Sequence, residues 1–429
     1  VATYARTLGR AVATMGGEVD LVFGLSVRRG APVEALETLF FEAMSNSNDQ
    51  PAPPPRTLRA RWNRLYVSPR PRQLQHIALH GRVIAPAVAE RLPPFAGVHN
   101  FSGLWSVAAR HFRRYGRFLP VRMQNPPHVM HWTYPVPIKL EGAANVYTVH
   151  DLVPLRLPHT SLEDKVYHER LLRCCVAEAD RICTVSETSR GDLIDFVGAD
   201  PARVVNCYQS IDAVDALDPD EVEARLRTLF VLEPQSYFLF YGAIEPKKNL
   251  GRLIEAFLTA EPDARLVIVG GRSWKAEAEL ALLGAAHGRM LPGAERIVMM
   301  EYLPRRLLEV LIQGARAVLF PSLYEGFGLP VLEAMARGVP VLISTAGALA
   351  EIAGDAAVAV DPYNVDAIAT GLRRLDNDGA LRRALSASGP AQAAKFGLDA
   401  YCERLSQLYR PLIRRAAPRA LPLLMPAKA

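Results

Sequence analysis

Two carboxylates and two ammonium groups stand at places in the sequence where strands should end. In FPSLYEGFGLPVLEAMARGVPV (residues 320–341) an apolar run gives way to Glu325, a turn with Gly326 and Gly328, and a helix that carries Glu333 behind Pro330. In FLFYGAIEPKKNL (residues 238–250) another apolar run ends at Gly242, followed by Lys247, Lys248 and a second helix. A carboxylate can accept two hydrogen bonds from a vicinal diol, so two acids at such a turn suit a sugar ring and a ribose. Glycines let main-chain amides come close to a ligand, and the helix start behind them offers a partial positive charge suited to phosphate. Adjacent lysines on the same edge would neutralise a diphosphate. Taken singly, Glu333 could merely complement a helix dipole, placed in its first turn, and Glu325 could be a turn residue. Lysines at a helix start oppose that dipole, which weighs against a purely solvated role for Lys247 and Lys248.

These residues need a scaffold that ends strands side by side. From residue 145 onward, short β-branched runs alternate with helical patterns. NVYTVHDLVP places His150 and Asp151 at a strand end, and ADRICTVSETSRGDL repeats the theme. Five further strand and helix repeats are expected, with strands at 237–241, 265–269, 296–300, 315–320 and 339–344 and helices starting at Leu250, Trp274, Pro304 and Pro330. Alternation of this kind predicts parallel, doubly wound α/β sheets with a ligand crevice at the carboxyl ends of the strands. The expected division is a first domain over 1–212, a connection over 213–234 and a second domain over 235–395. A helix over 396–415, packing back on the first domain, and a tail over 416–429 complete it.

Composition narrows the class. Half of the 429 residues are hydrophobic and mean hydropathy is +0.06, a globular balance. No apolar stretch approaches the ~20 residues that span a bilayer. Residues 1–16 read as an amphipathic helix without the basic start and apolar block of a secretory leader. The five cysteines form no Cys-x-x-Cys pair, consistent with a reducing compartment and a cytoplasmic location. Net charge is +6, yet residues 51–122 hold thirteen arginines against Glu90 alone, so the rest of the chain is acidic. That stretch is either a solvated face or a surface for anionic lipid headgroups or a phosphate-bearing acceptor, and no nucleic-acid module accompanies it. The Asp-x-Asp strings at 218–220 and 376–378 read as helix caps rather than metal ligands. No Gly-x-Gly-x-x-Gly follows a strand, which argues against a dinucleotide oxidoreductase.

YEGFGLPVLEAMARGVPV, GAIEPKKN, VIVGGRSWK, VSETSRGDL and HDLVP together resemble the retaining, group 1 (family 4) type of GT-B glycosyltransferase. More narrowly they are similar to bacterial O-antigen and exopolysaccharide mannosyltransferases. The resemblance covers residues 145–410. It implies two Rossmann-like domains with the active site between them and a nucleotide-sugar donor with no metal or other cofactor. The implied acceptor is a saccharide, expected to be lipid-linked, in cell-surface polysaccharide synthesis. It also implies roles: Glu325 on the donor sugar hydroxyls, Gly326, Phe327, Gly328 and Leu329 against sugar and phosphate, and Glu333 on the ribose. Lys248, aided by Lys247, would lie on the diphosphate with Gly242 close by through its main chain. His150 would point at the sugar near the breaking bond, with Asp151 fixing it on the acceptor side, although a lone histidine there also fits a satisfied core residue. Tyr302, within MMEYL (residues 299–303), would border the base. Three departures stand out. Ala243 occupies the place where relatives often carry Arg, and Gln209 and Ser210 replace an Asn-Gly. A first strand and glycine-rich loop would precede Val1. A sugar-nucleotide epimerase or hydrolase and a binding-only relative are the alternatives to a transferase.

Overall fold

A computed structural model describes residues 2–25, 36–45, 70–80, 83, 92–212, 216–284 and 291–415. Arg56, Arg59, Arg61, Arg64, Arg82 and Arg91 of the basic stretch, and the tail 416–429, lie outside the described residues.

The strands, in chain order, are β1 (Asp20–Phe23), β2 (Arg72–Gln73), β3 (Gln75–Ile77), β4 (Gly97–Asn100), β5 (Leu119–Arg122), β6 (Val129–Trp132), β7 (Ile138–Leu140), β8 (Ala144–Val149), β9 (Arg181–Thr184) and β10 (Val204–Asn206). They are followed by β11 (Tyr237–Tyr241), β12 (Arg265–Val269), β13 (Ile297–Met300), β14 (Ala317–Phe320), β15 (Val341–Ser344) and β16 (Val358–Val360). The first ten form three sheets, of which the largest has the order β10-β9-β8-β6 and is parallel throughout.

The second series forms one parallel sheet of order β13-β12-β11-β14-β15-β16. Its central strands are buried on both faces, as in β11 and β14, where every residue is buried. The chain runs outward from β11 to β13 and then returns to β14 beside β11. The crevice therefore opens between the carboxyl ends of β11 and β14, where the winding direction switches.

Several expectations are corrected. The second sheet has six strands, not five, because Val358–Val360 adds an edge. The helix expected from Trp274 is a single turn, Ala276–Glu279. The helix behind Gly328 starts at Leu329, since Gly328 takes φ 112°, outside helical space, so Glu333 falls in its second turn. The residues Pro219–Phe230, within the expected connection, are helical, and Val222 and Leu226 are buried in the core. Asp218 and Asp378 accept from the main-chain amides of Asp220 and Leu381, as caps do.

The last helix, Leu398–Arg415, packs against the first helix, Ala2–Thr14, and against β6. One apolar cluster runs from Tyr4 and Leu8 through Tyr401, Leu405 and Leu408 to Val331 and Ile343, so the two lobes share a core.

Candidate active site

At the β11 end, Glu245 leads into a 3-10 turn, Pro246–Lys248, closed by Asn249 at φ 62°. Asn249 is held there by its side-chain amide, which donates to the carbonyls of Pro321 and Pro362. The turn aims both lysines at the β14 loop. Lys248 Nζ donates to Glu325 Oε1 at 2.6 Å, and both side chains are largely shielded from solvent. Burial pushes the Glu325 carboxyl up, but Lys248 and Lys247 outweigh it, so the group is held below the usual carboxylate range. Lys247 is likewise disfavoured by burial, and Glu325, Asp151 and Glu245 more than offset this and keep it charged.

The opposite lobe meets this cluster through Gly326. A Cβ there would lie 2.2 Å from the His150 carbonyl oxygen and 2.8 Å from Asp151 Cβ. The glycine thus serves the close approach of the two lobes, a use the sequence did not suggest. Ser189 Oγ donates to the same His150 carbonyl at 2.9 Å. The His150 ring donates from Nε2 to the Thr133 carbonyl at 2.8 Å and stands edge-on to the Tyr4 ring at 4.8 Å. Burial lowers its pKa, so the ring is neutral and Nδ1 is left as an acceptor. Asp151 Oδ1 accepts from the Val153 amide, which fixes the turn after β8.

A second cluster surrounds Glu333. Tyr241 Oη, at the end of β11, donates to the Pro330 carbonyl and to Glu333 Oε2 at 3.3 Å. Arg305 Nη1 pairs with Glu333 Oε1 at 3.0 Å while its Nε donates to Glu309. Gly242, at φ 138°, follows Tyr241 directly, and a Cβ on it would meet nothing within 4 Å. The next strand end is tight against it: a Cβ on Gly270 would overlap the Gly242 carbonyl.

His150, Asp151, Lys247, Lys248, Glu325 and Gly326 are thus brought together, and Glu333 with Gly242 forms the adjoining cluster. Phe327 departs from its expected position against a ligand. Its ring packs at 5.7 Å from Phe396 and 6.4 Å from Tyr208, which leaves only its main chain to face the crevice. Leu329 also packs against the core. Tyr302 is 83 % exposed beyond β13 and makes no part of either cluster. Arg305 and Tyr241 were not singled out in the sequence. The signal that marked the lysines, a cation at a helix start, applies equally to Arg305.

The lobes are also clasped away from the crevice. Glu351 reaches across to the helix Glu187–Val197 and accepts from the amides of Glu187 and Thr188 at 2.7 and 3.0 Å, capping it from the other lobe. Tyr324 donates to Asp192, which also takes Arg156. Removing a capping acceptor costs ~1 kcal/mol. Glu351→Ala is expected to lose about that much and to speed hydrogen exchange at the Glu187 and Thr188 amides. Unchanged protection there would show that the clasp is not formed in solution.

Residues 226–392 match the family model described as Glycosyl transferases group 1. The O-antigen chain mannosyltransferase B of Escherichia coli is 33% identical over 272 residues, which cover 62% of this chain and 69% of that protein. The chain belongs to the group 1 glycosyltransferases. The serotype-specific mannosyltransferase WbdA of Escherichia coli is 29% identical over 276 residues, or 63% of this chain, which spans about a third of that longer relative (34%). Among solved structures, sucrose-phosphate synthase from Thermosynechococcus elongatus superposes with a TM-score of 0.62 at 18% identity, covering 96% of this chain and 93% of that one. The fold is the GT-B arrangement. Among the described residues no helix is long and apolar enough to cross a membrane.

Proposed function

We propose that the enzyme moves a mannosyl unit from GDP-mannose to a saccharide acceptor, with retention at the anomeric carbon, in cell-surface polysaccharide synthesis. The observation that carries this reading is the Lys248–Glu325 couple at the switch between β11 and β14, set directly against His150 of the other lobe. The mannosyltransferase names of the relatives favour the donor sugar.

In this reading the diphosphate lies on Lys247 and Lys248, near the Gly242 main chain and the positive end of the helix Leu329–Ala336. These charges stabilise the leaving group as its negative charge develops, and no metal is called upon. Glu325 accepts from the sugar hydroxyls. Glu333 takes the ribose diol and shares its carboxylate with Arg305, and Tyr302 borders the base. The bond from the anomeric carbon to the phosphate oxygen breaks while the acceptor oxygen bonds to the same carbon on the same face. The acceptor proton passes to the departing phosphate oxygen, so no separate general base is required. Neutral His150 would accept from a sugar hydroxyl through Nδ1. Two carboxyls working as in a retaining glycosidase would have to flank the bond ~5 Å apart, and Glu333 is engaged elsewhere.

The acceptor is read as lipid-linked, with the arginine-rich stretch 56–122 bringing the enzyme to the inner face of the cytoplasmic membrane. Of that stretch, Arg113, Arg114 and Arg117 are exposed on and just after the helix Leu104–Tyr115.

Incubation with a panel of sugar nucleotides tests the donor. GDP-mannose is expected to release nucleoside diphosphate faster than any UDP-sugar. Release from UDP-sugars alone would overturn the mannosyl assignment, and release from none would overturn the transferase reading.

A further inference from the structure

Glu333 belongs to a circuit of charged side chains on two neighbouring helices. Arg305 and Glu309 stand one turn apart at the start of Arg305–Gly314, and Glu333 and Arg337 stand one turn apart in and just after Leu329–Ala336. Arg305 Nη1 pairs with Glu333 Oε1 at 3.0 Å, and its Nε donates to Glu309 Oε1 at 2.9 Å. Arg337 Nη2 lies 3.2 Å from that same Glu309 oxygen, and its Nη1 donates to the Glu333 carbonyl at 3.1 Å. The circuit thus starts at the side chain of Glu333 and returns to its main chain.

Helix stability does not account for this arrangement. A cation in the first turn opposes the helix dipole, and Arg ahead of Glu is the weaker order for a pair one turn apart. Arg337 is the more telling case, because its side chain is 4 % exposed and its Nε is buried without a hydrogen-bond partner. Burying a guanidinium with one donor unmet is unfavourable, and an apolar side chain of similar length would avoid it. Its bond to the Glu333 carbonyl caps a helix end, which a solvated Lys could also do. What the buried fork adds is the second contact, on Glu309, which fixes Arg305. The result is a carboxylate with defined vacancies: it has room for about four hydrogen bonds, Arg305 and Tyr241 take one each, and the remainder match the two hydroxyls of a vicinal diol.

Resting on the reading of Glu333 as the ribose-binding acid, we propose that Arg337 and Glu309 are positioning residues for the donor nucleotide. They lock Arg305 onto one oxygen of Glu333, so the carboxylate keeps a single orientation and offers its open sites to both ribose hydroxyls. The preference for a ribonucleotide over its 2′-deoxy counterpart is then set by two side chains that do not touch the ligand.

Calorimetric titration of the full chain with GDP and 2′-deoxy-GDP, and in parallel with UDP and 2′-deoxy-UDP, reads that preference whichever base the enzyme takes. The unaltered enzyme is expected to bind the ribonucleotide at least about tenfold tighter than the deoxy form, as befits a hydrogen bond to a charged acceptor. Arg337→Met and Glu309→Gln should each weaken the ribonucleotide about five- to tenfold and the deoxynucleotide less than about twofold, so that the ratio approaches one. Arg337→Lys, which keeps the charge without the fork, should recover only part of the ratio. In a Glu333→Ala background Arg337→Met should change the ratio no further. Glu309, 22 % exposed, is the milder site and carries the test alone if Arg337→Met does not fold. A full ratio in these variants, equal weakening of both nucleotides as a purely structural role would give, or no ribose preference in the unaltered enzyme would overturn the proposal. Binding of none of the four nucleotides would remove the transferase reading together with it, whereas a missing ratio alone removes only the positioning role.

Discussion

Lys248→Ala is expected to lower turnover about a hundred- to a thousandfold, the usual consequence of removing one preorganised group that meets charge in a transition state. The same substitution leaves Glu325 shielded from water and short of its nearest cation. Breaking a buried pair from one side costs about 3–5 kcal/mol, less here because Lys247 remains nearby. The acid limb should move as well. In the unaltered enzyme the Glu325 carboxyl lies below its ordinary value, so its pairing adds stability that is complete above the unfolded carboxyl pKa of about 4.3 and is lost as pH falls through the lower folded value. Without Lys248, burial of the carboxyl is opposed mainly by Lys247 and the group titrates higher, so the acid limb of the rate should move to higher pH while the stability gained on ionising Glu325 should shrink. Urea melts and rates of nucleoside diphosphate release across pH 3–7 would check both. Wild-type turnover in Lys248→Ala and in Glu325→Gln would remove the couple from the active site.

Gly326→Ala should be nearly as damaging for a different reason. The added methyl would sit 2.2 Å from a carbonyl oxygen of the facing lobe, and a main-chain atom cannot turn aside as a side chain can. Either the β14 loop or the turn at His150 has to retreat. A displacement of about 1 Å between reacting groups can cost a hundredfold, and kcat/KM is expected to drop by about that much. Gly191→Ala is the matched control. It lies within the helix Glu187–Val197, and a methyl there meets nothing within 4 Å. It should leave kinetics intact and add about 0.5–1 kcal/mol of stability through the chain entropy of the unfolded state. Comparable kinetics for the two variants would mean that the lobes do not need this contact.

The second sheet was legible where burial on both faces forces an unbroken apolar run. Tyr237–Tyr241 and Arg265–Val269 were placed to the residue on that signal. Val358–Val360 escaped notice because an edge strand of three residues has one side chain turned outward and no periodicity to read. The short strands before residue 100, such as Arg72–Gln73 and Gly97–Asn100, are polar enough to pass for loop. Among functional groups, those at the ends of strong strands declared themselves, since Glu325, Lys247 and Lys248 stand at abrupt changes from apolar to charged sequence. Glu351 and Asp192 did not, because each gains its meaning from a partner more than a hundred residues away. Gly326 was recognised as a needed glycine without its neighbour in the facing lobe: sequence shows where a Cβ is missing but not that the His150 carbonyl occupies its space.

The seat of Ala2–Thr14 on the last helix has a consequence for synthesis. Cys402 Sγ bonds to the Ala11 carbonyl across 391 positions, and Tyr409 closes on His131 of β6. At ribosomal rates of about 5–20 residues per second, roughly 20 to 80 s separate the emergence of Ala11 and Cys402. Until Leu398–Arg415 leaves the exit tunnel, the apolar side of Ala2–Thr14 and the flank of β6 lack this native cover. Nascent chains should therefore lean on chaperones until the helix Leu398–Arg415 has emerged.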